Sequence, residues 1–93
     1  MKFKEGQRIR AVTTYTDDRT GLPFDPGTIV ARFKDPHGAV ATPVAVRNAQ
    51  GVWEEQVKLS PAGTWWGRVE GQDESGEIVA LDEFPIEVEP SHF

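Results

Sequence analysis

Cysteine is missing from all 93 residues. Without a thiol there is no disulfide staple, no thiolate nucleophile and no cysteine-ligated zinc. Secreted domains of this size commonly depend on disulfides, so this chain must hold itself by packing alone. Histidine is scarce: His37 lies in a turn-forming tetrapeptide and His92 is next to last, and neither has a carboxylate at a motif spacing. No Gly-x-Ser-x-Gly elbow, glycine-rich phosphate loop or His-Glu-x-x-His stretch occurs. These absences point away from an enzyme and from any resident cofactor. No apolar run approaches the roughly 20 residues of a membrane-spanning helix, and the residues after Met1 form no leader-like apolar stretch. The expectation is a protein made in the cytoplasm without a signal peptide. There is no basic run either. Ten Lys and Arg face fifteen Asp and Glu, for a net charge of −5, which draws the chain to neither nucleic acid nor anionic lipid. Finally, no window repeats apolar residues at i, i+3, i+4 and i+7, so no helix is expected.

What is present is punctuation and alternation. Nine Gly and seven Pro fall about every ten residues and separate short period-2 segments, the pattern of an all-β sandwich or barrel. Strands are predicted over 7–16, 28–34, 40–47, 52–59, 64–70 and 77–89. Their inward rows are Ile9/Ala11/Thr13/Tyr15, Ile29/Ala31/Phe33, Val40/Thr42/Val44/Val46, Trp53/Val57/Leu59, Trp65/Gly67/Val69 and Ile78/Ala80/Phe84/Ile86/Val88. Glu55 interrupts the fourth row and Asp82 the last, so the last segment reads as one strand or two. Pro43 and Pro85 cannot donate to a ladder, which suits edge or bulge positions. Length and segment count give one domain, residues 1–93 with a core of about 7–89, folded as a two-sheet antiparallel sandwich of six to seven strands.

The turn and core motifs have a family likeness. Asp35-Pro36-His37-Gly38, Gly51-Val52-Trp53, Gly63-Thr64-Trp65-Trp66 and the closing Phe84-Pro85-Ile86-Glu87-Val88 resemble those of small immunoglobulin-like domains of bacteria and tailed phages. The likeness implies an immunoglobulin-like sandwich with a structural or adhesive role. For a short free chain it implies a virion accessory protein at the head surface, neck or tail. The partner would then be a viral structural protein or further copies of the chain, and the protein would end up in a virion. An adhesive or carbohydrate-binding module and an intracellular adaptor are the alternatives.

Several residues are candidates for binding. Trp65 and Trp66 point to opposite faces of one strand. Trp65 has core parity, while Trp66 shares its face with Arg68 and Glu70 and is expected at the surface. It either lies flat on its own sheet under the Arg68 stem or serves as an interface anchor or sugar-stacking platform. Ala41, Pro43 and Ala45 share the outward parity of the third segment. They form either a small-residue docking edge or an edge that proline protects from unwanted pairing. Leu22 and Phe24 lie in the long first connection, as a plug for the end of the sandwich or as a partner anchor. If successive strands run antiparallel, the first, third and fifth connections meet at one end. Asp17, Asp18, Asp25, Asp73 and Glu74 would gather there. Such a cluster is a weak candidate for a hard cation with six to eight oxygen ligands, and the favoured reading is solvated charge with no metal.

Overall fold

The computed structural model describes residues 2–92, which hold no helix and eight strands: β1 (Lys2–Lys4), β2 (Arg8–Thr14), β3 (Thr28–Lys34), β4 (Val40–Ala41), β5 (Val46–Ala49), β6 (Val52–Lys58), β7 (Gly63–Gln72) and β8 (Ile78–Glu89). They form a five-stranded sheet, β1-β8-β7-β3-β4, and a three-stranded sheet, β2-β6-β5. Apart from β1, which joins the larger sheet, this is the strand order of an immunoglobulin sandwich. All pairings are antiparallel except β1 with β8, where Phe3 runs parallel opposite Val88. The sandwich is therefore not wholly antiparallel. Because β1 joins β8, no described strand pairs with the outer edge of β2.

The alternation places one core between the sheets. Ile9, Tyr15, Val57 and Leu59 from the smaller sheet side meet Ala31, Phe33, Trp65, Val69, Ile86 and Val88 from the larger, all buried. Burying each Val, Leu, Ile or Phe among them contributes roughly 1.5–3 kcal/mol of transfer free energy. Phe33 and Phe84 pack edge to face, ring centroids 6.2 Å apart. Gly67 makes room for them: a Cβ there would meet the Phe84 ring at 2.5 Å. Trp65 donates its indole N–H to the Pro61 carbonyl at 2.9 Å, so the buried ring leaves no orphan donor.

Two turns follow the same chemistry. In each, an aspartate Oδ1 accepts the backbone N–H groups two and four residues on. Asp35 takes those of His37 and Ala39, both at 2.9 Å, and Asp73 takes those of Ser75 and Glu77 at 2.9 and 3.0 Å. Gly38 and Gly76 close these turns with φ of 91° and 87°, a region that other residues rarely adopt.

The structure corrects the strand count and three details. The segment 40–47 is not one strand. Val40–Ala41 pairs with β3, the chain leaves that sheet through 42–45, and Val46–Ala49 pairs with β6. Pro43 lacks an N–H and cannot extend a ladder, so the sheet switch falls on it. The inward row expected there is inverted as well. Val40, Val44 and Val46 are 53%, 83% and 56% exposed, while Pro43 and Ala45 are half-buried. The last segment stays a single strand. A register shift pairs Gly71 with Ala80 but Gln72 with Ile78, which leaves Val79 as an extra residue and turns Ile78 outward. Asp82 does have inward parity, opposite Val69, but it lies at the open side of the sandwich and remains exposed.

Candidate functional site

The outer face of the five-stranded sheet gathers the chemistry. Cross-strand register puts Lys34 and Pro85 on either side of Trp66, Arg32 and Glu83 on either side of Arg68, and Val30 and Leu81 on either side of Glu70. Trp65 is 4% exposed and Trp66 51%, as parity requires. Trp66 thus stands at the surface.

Arg32 and Arg68 are direct cross-strand neighbours of like charge, an arrangement that is unfavourable by itself. Glu70 resolves it. Its Oε1 accepts from Arg68 Nε at 2.7 Å and from Arg32 Nη1 at 2.8 Å, and its Oε2 accepts from Gln72 at 3.3 Å. Arg68 also reaches Glu83 at 3.3 Å. The hydrogen bond from Arg68, then those from Gln72 and Arg32, hold the Glu70 carboxyl below the usual carboxylate range. The same bond holds the Arg68 guanidinium above its ordinary value. Glu70 is therefore an ionised, nearly covered carboxylate whose lone pairs are in use. Beside this network lies a groove of ≈ 450 Å³ lined by Arg32, Lys34, Val40, Trp66, Arg68 and Glu83, with Gly67 at its base. It presents an indole and fixed charges rather than a nucleophile paired with a base. Such a surface can bind, and its arginines are held in place before any partner arrives.

The other candidates divide. The first, third and fifth connections do meet at one end. There Asp25 accepts from the Gly51 N–H at 2.8 Å, the Trp53 indole at 3.1 Å and Arg47 Nε at 3.0 Å. Those bonds, led by the one from Gly51, lower its pKa. Asp17 Oδ1 accepts the Arg19 and Thr20 amides, and Asp73 caps its own turn. Asp17, Asp18 and Asp73 line one groove of ≈ 610 Å³ with Tyr15 and Phe24, and Asp25 is not part of it. Glu74 is exposed beside it in the β7–β8 turn. Among the described residues no three His, Cys, Asp or Glu converge to hold a metal ion. Phe24 is half-buried and packs edge-on against Tyr15 at 6.4 Å, so it plugs that end. Leu22, 64% exposed, stays outside. Ala41, Pro43 and Ala45 do not form one row, because the sheet switch separates them. Pro43 and Ala45 face a groove with Ile29, Val30 and Trp53, and Ala41 belongs to β4.

Two features escaped the sequence reading. One is the Arg32–Glu70–Arg68–Glu83 network, which needs the β3–β7–β8 register. The other is Glu55, 0% exposed on the core side of β6, with neither oxygen bonded to a described group. Its signal was visible as the carboxylate breaking the Trp53/Val57/Leu59 row.

No protein-family model and no curated protein matches the chain significantly. Among solved structures, the fold is similar to part of a DUF4785 family protein from Legionella pneumophila. The TM-score is 0.74 at 20% identity, over 94% of this chain and 26% of that one. At that identity the likeness shows the fold alone. The chain spans about a quarter of that protein's length.

Proposed function

We propose that this domain is a non-enzymatic docking module that binds a protein partner through the outer face of its five-stranded sheet. The observation that carries this reading is Trp66, half exposed in a groove beside arginines already fixed by Glu70 and Glu83. Interface hot spots are enriched in Trp and Arg, and side chains already held lose little entropy on binding. The motif likeness to phage immunoglobulin-like domains supports a specific setting, a structural part of a phage or prophage virion, docked on a larger assembly. Particles purified from a host expressing the tagged chain should contain it at a fixed copy number. Trp66→Ala should weaken that docking about thirtyfold or more, since hot-spot truncation costs at least about 2 kcal/mol. Particles that assemble without the chain would overturn the virion setting. Sugar binding abolished by Trp66→Ala, with no protein partner, would overturn the docking role in favour of a carbohydrate-binding one.

A further inference from the structure

The smaller sheet has an unpaired edge at β2. The β2–β6 register makes Ile9/Val57, Ala11/Glu55 and Thr13/Trp53 direct partners. Leu59 N–H donates to the Gln7 carbonyl and Tyr15 N–H to the Gly51 carbonyl, so the odd-numbered residues of this strand bond toward β6. In an antiparallel ladder the alternate residues bond the other way. The N–H and C=O groups of Arg8, Arg10, Val12 and Thr14 therefore point outward, with no described strand beyond them. The other exposed edges are short or interrupted: beyond the residues that β1 covers, β8 carries Pro85 and a register shift, and the stretch of β3 beyond β4 shares a groove with residues 42–45. β1 has three residues, β4 two, and β5 four with a register shift. Short or irregular edges resist added strands, whereas β2 runs seven residues without proline or bulge.

The same edge borders an open groove. Residues 9–13 of β2 face Phe3, Asp82, Phe84 and Ile86 across a space of ≈ 250 Å³. A strand laid along β2 would send alternate side chains into this space. On the outer face, Arg8 stands directly opposite Lys58. Among the described residues neither enters an ion pair, and Arg10 reaches only Glu54, at 3.9 Å. This is a local cationic cluster on a chain of net charge −5. We infer that the β2 edge accepts an extended segment of a partner protein in which acidic residues alternate with apolar ones, added antiparallel as a fourth strand of the smaller sheet. Its acidic residues stand opposite Arg8 and Arg10, and its apolar residues enter the groove against Phe3, Phe84 and Ile86. Backbone pairing supplies affinity and the alternating side chains supply selectivity. A second copy pairing through its own β2 fits less well. That strand offers the same two arginines and no carboxylate.

The test uses capped, fluorescein-labelled octapeptides added to the full chain. Alternating Glu-Val should bind, and hydrogen exchange should slow at the amides of Arg8, Arg10, Val12 and Thr14. Alternating Lys-Val should bind about tenfold or more weakly, because opposed charge pairs become like pairs. The Arg8→Glu/Arg10→Glu double variant should reverse that preference. N-methylation of the peptide's Glu residues, whose amides face β2, should abolish binding, while N-methylation of its Val residues should not. Val12→Pro, which removes one outward donor, should also abolish it, and Trp66→Ala should leave it unchanged. Failure of Glu-Val to bind at millimolar concentration would overturn the inference. So would protection at the β4 or β5 edge instead, or indifference to Glu N-methylation.

Discussion

Glu55 should make this domain less stable as pH rises through neutrality. Its carboxyl is 0% exposed, faces the core from β6, and has no partner among the described groups. Burial first, and the neighbouring Glu54 charge second, push its pKa from the ordinary 4.5 up to about 7. The folded state thus favours the protonated form. In the unfolded chain the group titrates near its ordinary value. Below pH 4.5 both states are protonated and the stability associated with this group is fully present. Between 4.5 and about 7 the unfolded state releases its proton while the folded state retains it, so stability falls, and by pH 8 the loss is complete. Two and a half pH units at 1.36 kcal/mol each amount to about 3 kcal/mol, a large share of the roughly 5–15 kcal/mol that holds a domain of this kind together. The carboxylates held low by their partners, Asp25, Glu54, Glu70, Asp73 and Glu89, act in the opposite sense. Their contribution disappears only as pH falls below the ordinary carboxylate range, so the two effects separate. Urea unfolding of the wild type at pH 5 and pH 8 should differ by about 2.5 kcal/mol, since a little of the loss has already occurred by pH 5. Glu55→Gln, which has the same shape and does not titrate, should remove that slope. Glu55→Leu should gain stability over the wild type, and gain more at pH 8 than at pH 5. A wild type equally stable at both pH values, or a Gln variant that keeps the slope, would refute the reasoning.

Other consequences follow from the packing. Trp65→Ala should cost about 3–5 kcal/mol in chemical denaturation, while Trp66→Ala should shift Tm little. Equal large losses would mean that the face assignment is wrong. Gly67→Ala should destabilise by about 1–3 kcal/mol, because its methyl runs into the Phe33–Phe84 pair; an unchanged melt would show that those rings can yield. Millimolar calcium should leave Tm where sodium of equal ionic strength leaves it, because Asp17, Asp25 and Asp73 already accept hydrogen bonds within the protein. A gain near the roughly 2.7 kcal/mol expected at a hundredfold excess over Kd would reveal a cation site.

Much of the architecture was legible because the side-chain period of a strand is two. Ile9 and Tyr15, Ala31 and Phe33, Trp65 and Val69, and Ile86 and Val88 were all placed inward by parity and are buried. The Asp-Pro-His-Gly turn was legible because Pro36 and Gly38 each have a local backbone reason to be there. Sheet membership was less accessible. Whether residues 40–47 continue one sheet or pass to the other depends on which neighbours lie beside Pro43, and alternation carries no such information. β1 was missed because three residues are too few to show a period. Trp66 was readable as a surface residue and Arg68 as its neighbour. The Arg32–Glu70 half of the site was not, since it exists only once β3 and β7 pair in register.

The most direct test of the proposed docking is an electron cryomicroscopy map of particles purified from a host that expresses this chain. The account predicts one domain per partner site, oriented so that Trp66, half exposed in the free domain, is buried against a neighbouring structural protein, with Arg68 and Glu83 at the rim of the contact. A domain docked with Trp66 facing solvent, or particles with no density for the domain while it stays in the soluble fraction, would contradict it.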